Sequence, residues 1–538
     1  MGKFTSAPRT ATSPVTTTGT TTTFEGGAAF TRDAKSDLFL FAVVNMVGED
    51  TFYESAADRD HRFRALVHAA TRQDPDWVAQ FVPYLRGTMN MRSASIVMAA
   101  ESAIARKAGT DREPTISVRK MVADAMLRAD EPAEFIAYWK ARTGKKTLPG
   151  GVQRGVADAV QRLYKERAAL KYDGGASQWR MADVVALAKP EPAGPWQADL
   201  FDYLADRRWK RDTIRVTDRL PVLSAYRAAM AMPDAERRAW FLEDPERLGR
   251  AGMTWEQLSS LGPMDAAAWS AVIPHLGLMA LTRNLRNFDE AGVPDDVAAL
   301  VAARLADPEE VRRSRQFPYR FLSAYRAAPS LRWGHALEQA LLASTANIPS
   351  LPGRTLVLVD TSASMTGTVS AKSQIRHVDV GALFAVALAG RGCDVDLVGY
   401  ANGVFRHELV KGGSVLRQTE AFCARVGEVG HGTETVAALR STYRGHDRVV
   451  IVSDMQAFAY PGHGGRGSVW GATGYRGLSV SESVPAHVPM FGINTTGYGK
   501  SSIDTSQPNR FEIGGFSDQL FTMLDLLSRG RDANWPWL

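Results

Sequence analysis

The sequence is poor in the residues that build disulfide frameworks, metal–sulfur centres and membrane spans. Only Cys393 and Cys423 are cysteines among 538 residues. Their spacing suits neither a zinc site nor a redox pair, so we interpret both as small apolar packing residues that need no disulfide. No apolar run is long enough for a transmembrane helix, and the N-terminus lacks the apolar core of a signal peptide. These features predict a cytoplasmic protein that does not associate with membranes.

The length and the charge balance indicate several folded units and a polyanionic partner. A chain of 538 residues exceeds the roughly 100 to 200 residues of one domain. Lys and Arg number 64 against 58 Asp and Glu, which gives a net charge of +6. Dense basic clusters lie before about Arg354, whereas acids and bases nearly balance beyond it. Any polyanion is therefore expected on the first half of the chain.

Three segments differ in their patterns. Residues 1–23 are rich in Thr, Ser and Pro without apolar periodicity, which predicts a flexible tail. Residues 24–347 repeat apolar residues at helical spacing between Gly, Pro and Asp breaks, which indicates helices stacked pairwise as in an α-solenoid. In residues 353–538, strand-like runs alternate with helical stretches, as in a doubly wound α/β domain with a Rossmann-like sheet.

One short motif carries the clearest chemistry. The apolar run 355–359 predicts a buried parallel strand, and Asp360, Ser362 and Ser364 follow its carboxyl end. Ligand sites of open α/β sheets lie at that edge, and one carboxylate with two hydroxyls suits Mg²⁺, which prefers hard oxygen ligands. The alternative is a strand-ending Asp followed by Ser residues that cap the next helix.

Two later segments add oxygen ligands. The glycine-rich turn 430–435 supplies Thr433, with Thr435 as a less favoured substitute, and the apolar run 448–453 ends at Asp454. His431 is a poor ligand for Mg²⁺ and is not assigned to the site. No general base, nucleophile or second metal site accompanies these residues, so we predict binding rather than hydrolysis and no enzymatic activity.

This order of residues, D-x-S-x-S, then Thr, then an Asp that ends a strand, resembles the metal-ion-dependent adhesion site of von Willebrand factor A domains. The resemblance implies that the site binds a divalent cation, with Mg²⁺ as the first candidate, and that some protein groups contact the cation through water. It also implies an open coordination position that accepts an acidic group from a partner. The implied metal residues are Asp360, Ser362, Ser364, Thr433 and Asp454.

Basic residues gather in the first half, where phosphate neutralisation would give salt-sensitive RNA binding. Trp209 lies among several of them and could stack on an unpaired base, although packing beneath a loop is the commoner role of tryptophan. Each cluster could equally be a solvated helix face. The candidate RNA-binding residues are Lys140, Arg142, Lys145, Lys146, Lys171, Arg180, Lys189, Arg207, Arg208 and Lys210.

A basic helical half joined to a von Willebrand factor A domain resembles the TROVE family, which comprises the Ro autoantigen and its bacterial relatives. The segments 281–288 (LTRNLRNF) and 314–321 (SRQFPYRF) are similar to family signatures, and 155–160 and 179–185 match its central helices in spacing. The resemblance implies a monomeric ring of HEAT-like helical repeats closed by the metal domain.

The same resemblance implies a function. Such a protein is a noncatalytic ribonucleoprotein component that binds small noncoding Y-type RNA on its outer surface. It also binds single-stranded ends of misfolded or immature RNA in its central hole, and acts in RNA quality control with an exoribonuclease such as polynucleotide phosphorylase. The alternative is a protein-binding adaptor that uses the metal site, with incidental positive charge. Salt would weaken RNA binding, whereas chelation would abolish a metal-bridged contact.

Overall fold

The computed structural model describes residues 13–174, 178–209, 214–346, 348–458, 479–528 and 534–538. The chain divides into two compact units. The α/β unit comprises Met1–Ala70, Phe317–Ser323 and Leu341–Leu538, and the helical unit comprises Thr71–Gln316 and Ala324–Ala340.

Helices account for most of the regular structure of the described residues. In chain order they are α1 (Ala34–Ala42), α2 (Ala56–Gln73), α3 (Pro75–Gly87), α4 (Arg92–Ala108), α5 (Val118–Asp124), α6 (Glu131–Thr143), α7 (Gly150–Leu163), α8 (Glu166–Tyr172), α9 (Met181–Ala188), α10 (Pro195–Arg208), α11 (Pro221–Met230), α12 (Asp234–Glu243), α13 (Glu246–Arg250), α14 (Trp255–Ser259), α15 (Ala266–Val272), α16 (Leu278–Glu290), α17 (Asp295–Ala306), α18 (Pro308–Ser314), α19 (Tyr319–Ala327), α20 (Leu331–Ser344), α21 (His377–Gly390), α22 (Val415–Cys423), α23 (Thr435–Thr442) and α24 (Leu520–Ser528).

Several helices of the helical unit begin at a side chain that caps them. Asp74 accepts a hydrogen bond from Trp77 N at the start of α3, and Asp307 accepts from two amides at the start of α18. A proline follows each of these caps, at the first helical position, where its missing N–H costs nothing. The helices then pack in succession, α3 on α4 and α5, α4 on α6, α5 on α7 and α7 on α9. The predicted stacking of helices is confirmed, whereas closure into a ring stays a prediction.

The segment 281–288 lies in α16 and supports the packing of the helical unit. Leu281, Leu285 and Phe288 are buried, and the Phe288 ring lies 5.0 Å from the ring of Trp269. Asn284 donates to the carbonyl of Ala280 at 2.8 Å within the helix. The segment therefore forms the buried face of an amphipathic helix, and its residues have a packing role.

The α/β unit contains a two-stranded and a six-stranded sheet. The strands are β1 (Thr17–Thr22), β2 (Ala28–Arg32), β3 (Arg354–Asp360), β4 (Asp394–Tyr400), β5 (Val404–His407), β6 (Arg448–Ser453), β7 (Met490–Asn494) and β8 (Arg510–Gly514). The larger sheet has the order β5-β4-β3-β6-β7-β8, parallel except for the edge strand β5. The prediction of a C-terminal α/β arrangement is confirmed as a mixed, mainly parallel sheet.

Helices cover both faces of this sheet, which explains why its central strands are apolar throughout. On one face α21 lies so close that a Cβ at Gly381 would be 2.9 Å from Val452 and 3.2 Å from Val359. On the other face, Leu439 of α23 belongs to one buried cluster with Leu356 and Leu358 of β3. Both cysteines are buried, in agreement with their interpretation as packing residues.

The prediction that residues 1–23 form a flexible tail is wrong for β1. Its β-branched threonines favour an extended strand, and β1 pairs antiparallel with β2. The predicted boundary at residue 24 is also wrong, because residues up to Ala70 belong to the α/β unit. Arg32 explains this attachment: its guanidinium bonds to the buried carboxylate of Glu512 in β8 at 2.9 Å. Within the described residues, no helix combines the length and apolar character that a bilayer crossing requires.

Candidate functional site

The strand order creates a crevice at the carboxyl end of β3. The chain passes from β3 to β4 on one side and later returns to β6 on the other, so the connections diverge at this point. Ligands of open α/β sheets bind at such a switch point. Asp360 is the last residue of β3 and Asp454 follows β6, and both carboxylates are fully buried. The sequence-predicted carboxylates are therefore brought to the same edge of the sheet.

Hydrogen bonds around Asp360 gather hydroxyl groups beside it. Its Oδ1 accepts from Ser362 N at 2.8 Å, and its Oδ2 accepts from the hydroxyl of Ser453 at 2.7 Å. The tight turn after the strand leaves the Ser362 and Ser364 hydroxyl oxygens 3.2 Å apart. Ser453 is a member of this cluster that sequence reasoning did not assign.

The glycine-rich loop is fastened against this turn. The side-chain oxygen of Asn402 accepts from the amides of His431 and Gly432, each at 3.0 Å, and Ala363 N donates to the carbonyl of His431 at 3.0 Å. A Cβ at Gly430 would lie 2.3 Å from the Asn402 oxygen, and one at Gly432 would lie 2.4 Å from its nitrogen. Glycine is therefore required twice for this approach.

The same loop decides between the two candidate threonines. Thr435 donates its hydroxyl to the phenol oxygen of Tyr400 at 3.3 Å, in a buried position. Thr433 is 2% exposed, and its carbonyl accepts from Phe458 N at 3.0 Å, which ties the loop to the segment after Asp454. Because Thr435 is engaged with Tyr400, Thr433 is favoured as the threonine of the site.

The electrostatics of the two carboxylates suit a cation. Burial raises the pKa of Asp360 to about 6, although hydrogen bonds from Ser362 and Ser453 act in the opposite direction. Burial, and then the charge of Asp360, raise the pKa of Asp454 to about 7. Asp454 Oδ1 accepts from Gln456 N at 3.2 Å, whereas its Oδ2 is buried without a hydrogen-bond partner.

A hard divalent cation would neutralise the two like charges and coordinate the unpaired oxygen. The residues present therefore fit the group implied by the sequence. Across the ranges that the structure describes, no cluster of three or more His, Cys, Asp or Glu side chains is placed to hold a metal ion. Hydroxyl oxygens and water would accordingly complete the coordination of a cation at Asp360, which is how Mg²⁺ sites with few carboxylates are built.

Two residues from the N-terminal part of the α/β unit also reach this site. The hydroxyl of Tyr53 bonds to the carboxylate of Glu25, and the neighbouring Phe24 N donates to the side chain of Gln456, whose own N bonds to Asp454. Sequence reasoning missed both, because more than 300 residues separate them from the D-x-S-x-S motif and no local pattern marks them.

Among the candidate RNA-binding residues, the arginines are engaged in ion pairs. Arg142 Nε lies 2.7 Å from an oxygen of buried Glu101, and Arg208 Nε lies 2.9 Å from Asp183. Arg180 and Arg207 share buried Asp173, at 2.5 and 3.6 Å. These contacts give the arginines a role in the packing of the helical unit.

The lysines are placed differently. Lys145, Lys146, Lys171 and Lys189 are exposed, and Lys189 closes α9 with a left-handed φ of 51°. The ammonium of Lys140 lies 4.1 Å from the centre of the Trp179 ring, and that of Lys171 lies 5.3 Å from the Tyr172 ring. Trp209 is 51% exposed. Lys210 lies outside the described residues.

A cavity of about 390 Å³ opens beside these rings. Tyr172, Trp179 and Lys171 line it together with the carboxylates of Asp130 and Glu134. Asp130 is neutralised by Arg92 and Arg128, which lie 2.8 and 2.5 Å from it and lower its pKa against the effect of burial. The cavity thus combines aromatic faces, one exposed lysine and carboxylate acceptors.

Comparisons with known proteins give three findings. The TROVE domain model matches residues 244–358, which include both signature segments. Telomerase protein component 1 of Rattus norvegicus and of Mus musculus are each 40% identical over 74 residues, which is 13% of this chain and 3% of the relative. The chain therefore covers only a small part of those relatives.

The third finding is structural. The crystal structure of the Deinococcus radiodurans RO (RSR) protein matches 93% of this chain and 100% of its own, with a TM-score of 0.59 and 19% sequence identity. At that identity the match establishes a shared fold. The resemblance to the TROVE family that the sequence indicates is confirmed by the family model and by this fold.

Proposed function

We propose that this chain, which carries the TROVE match over residues 244–358 and shares the fold of a Ro protein, is a noncatalytic RNA-binding component of a ribonucleoprotein. The observation that supports it best is the placement of the exposed lysines on the helical unit. Lys140 and Lys171 lie over the rings of Trp179 and Tyr172, beside a cavity of about 390 Å³.

The chemistry of this surface suits single-stranded RNA. Lysine ammonium groups neutralise backbone phosphates, and aromatic rings stack on unpaired bases. The cavity has the size of sites that take small ligands, roughly 300 to 1,000 Å³, and accommodates a nucleobase. The carboxylates of Asp130 and Glu134 offer acceptors to the amino groups of a base.

The finer parts of the proposal follow from the family resemblance. The bound RNAs would be small noncoding Y-type RNA and the single-stranded ends of misfolded or immature RNA, with the helical part closed into a ring. An exoribonuclease such as polynucleotide phosphorylase would act on the delivered RNA. The protein itself would serve RNA quality control without catalysing a reaction.

The α/β unit would hold Mg²⁺ through Asp360, Ser362, Ser364, Thr433 and Asp454. A bound cation supplies an electrophilic contact for an acidic group of a partner. The surrounding protein groups would position the ligands of this cation. Ser453 and the Ser362 amide fix Asp360, and Asn402 fixes the loop that carries Thr433.

A second candidate function, a metal-dependent adaptor for proteins, is favoured by two aromatic rings near this site. Phe24 is 42% exposed and Phe52 is 58% exposed, and both pack against Tyr53. Exposed aromatic side chains are enriched at protein interfaces. Both candidates can hold for one chain, since their surfaces lie on different units.

RNA binding by the helical unit is tested through its salt dependence. Arg142 is left intact because its removal would break the ion pair with buried Glu101 and destabilise the helical unit. Affinity for a fluorescent single-stranded RNA is measured by anisotropy between 50 and 200 mM salt. The test variant replaces Lys145, Lys146 and Lys171 by Ala, and the charge-matched control replaces Lys107, Lys372 and Lys411, which are also exposed.

We expect the test variant to lose affinity and to reduce the slope of log affinity against log salt by about 2, since each single-strand phosphate contact contributes about 0.7. The control should keep the slope of the wild type. Equal losses in both variants would mean that net charge alone attracts RNA, and a wild type that does not bind RNA would overturn the proposal.

A further inference from the structure

A short N-terminal segment, residues 23–27, lies against the chain that follows Asp454. Thr23 donates its hydroxyl to the carbonyl of Ala457 at 2.7 Å, and Phe24 N donates to the side-chain oxygen of Gln456 at 3.1 Å. Gly26 forms an antiparallel bridge with Phe458. We call residues 23–27 the Glu25 segment, because Glu25 is its one acidic residue.

The approach of this segment is built into its sequence. A Cβ at Gly27 would lie 2.3 Å from the carbonyl oxygen of Ala457, so glycine is required there. Gly27 N donates to the Thr23 hydroxyl at 2.8 Å, which closes the turn, and Thr23 is 3% exposed. The turn presents Glu25 at its tip.

Tyr53 fixes the tip of this turn. Its ring stacks on Phe24 at 4.9 Å with an interplanar angle of 7°, and its hydroxyl bonds to the carboxylate of Glu25. Tyr53 therefore holds both the backbone turn and the carboxylate of Glu25 in place.

The Glu25 segment is also bonded to the chain beside the site through Gln456. The side-chain oxygen of Gln456 accepts from Phe24 N at 3.1 Å, and Gln456 N donates to Asp454 Oδ1 at 3.2 Å. The five candidate metal residues are at most 4% exposed. A partner's acidic group thus finds the site covered, while a segment of this chain that carries a carboxylate is bonded beside it.

We propose that Glu25 is the acidic group that this chain itself supplies to a cation at the Asp360 site, with Tyr53 as its positioning residue. A partner's acidic group must then displace the Glu25 segment before it reaches the cation. Glu25 acts from the outer layer, on the water around the cation, because its carboxylate is already bonded to the Tyr53 hydroxyl. Mg²⁺ keeps much of its water, and groups that bond to such water tune metal affinity by about 10- to 100-fold.

This inference rests on the metal site of the proposed function and adds to it an internal ligand. Mn²⁺ serves as the probe, because its free form is counted by electron paramagnetic resonance and its bound form relaxes water protons. The full-length wild type is compared with Glu25→Gln, Tyr53→Phe and a control, Glu408→Gln, which neutralises an exposed carboxylate elsewhere in the α/β unit. Asp454→Asn reports on the metal site itself.

We expect Glu25→Gln to weaken Mn²⁺ binding about 10-fold and to raise the water-proton relaxivity of bound Mn²⁺, because water gains access to the cation. Tyr53→Phe should shift both readouts the same way, and Glu408→Gln should match the wild type. A role of Tyr53 in packing alone would leave the relaxivity of bound Mn²⁺ unchanged.

Two failures are distinguishable. If the wild type binds no Mn²⁺, or Asp454→Asn binds it equally well, the metal site of the proposed function is overturned together with this inference. If Asp454→Asn abolishes binding while Glu25→Gln keeps the affinity and relaxivity of the wild type, the metal site stands and the role of Glu25 is refuted.

Discussion

Replacement of Asp454 by Asn should stabilise the metal-free protein at alkaline pH. The carboxylate is fully buried and its pKa is raised from 3.8 to about 7, first by burial and then by the charge of Asp360. The folded state therefore holds the proton more tightly than the unfolded state does. Stability is highest below the unfolded pKa, near 4, and is lost as the pH rises to about 7.

The size of the effect follows from this shift. A difference of about 3 pKa units corresponds to on the order of 4 kcal/mol when the group is fully ionised, and structural relaxation around the charge would reduce this. Asn cannot ionise, and its side-chain oxygen can still accept from Gln456 N. The variant should exceed the wild type by about 1 kcal/mol at pH 5, where the unfolded carboxylate is already mostly ionised, and by about 2 to 4 kcal/mol at pH 8.

Urea unfolding followed by circular dichroism in EDTA, at pH 5 and pH 8, measures this difference. Burial lowers the pKa of His377 to about 4, so this residue makes the protein less stable as the pH falls below about 6.5. His377 is present in both proteins, and its effect therefore cancels in the comparison. Added Mg²⁺ should stabilise the wild type at pH 8 and leave the variant unchanged. A variant destabilised equally at both pH values would refute the reasoning, because burial of two like charges would then carry no cost.

Three further outcomes are expected. Arg142→Ala should lower the free energy of unfolding by about 1 to 3 kcal/mol in urea, because buried Glu101 keeps Tyr138 but loses its cation, whereas Lys145→Ala should change it little. Equal effects of the two would mean that the ion pair adds no stability. Gly432→Ala should weaken Mn²⁺ binding, because its Cβ would meet Asn402 and displace the loop that carries Thr433. An unchanged affinity would exclude that loop from the site. Deletion of residues 13–27 should raise the water-proton relaxivity of bound Mn²⁺, and a relaxivity equal to that of the wild type would show that these residues do not cover the cation.

The parallel strands of the α/β unit were predictable because their burial on both faces leaves apolar runs. The run 355–359 matches β3 (Arg354–Asp360), and the run 449–453 matches β6 (Arg448–Ser453). β8 was not predictable in this way, because it carries Arg510 and Glu512 in fully buried positions. Arg510 donates to the carbonyls of Ser481, Val484 and Val488 at 2.7 to 2.9 Å, and Glu512 pairs with Arg32. These partners are remote in sequence, so the charged residues of β8 give it the pattern of an exposed segment.

The candidate site divides in the same way. Asp360, Ser362 and Ser364 form a local motif, and glycine spacing marks the loop of Thr433, so both could be found from the sequence. Tyr53 and Glu25 reach the site only through tertiary folding. The basic clusters were visible as charge, but the sequence did not reveal which cations have acidic partners. Arg142 and Glu101 are 41 positions apart, with nothing local to connect them.

The position of β1 in the fold has a consequence for biosynthesis. Thr17 bonds to Thr505 across 488 positions of sequence, and Arg32 can form its ion pair only after Glu512 has been synthesised. At synthesis rates of about 5 to 20 residues per second, the N-terminal hairpin emerges on the order of tens of seconds before its partners exist. During that interval the strand pair has no sheet to pack on, and its threonine-rich, weakly apolar composition limits premature association. The segment that we propose to cover the metal site is therefore synthesised long before the residues on which it docks, and its docking is a late step of folding.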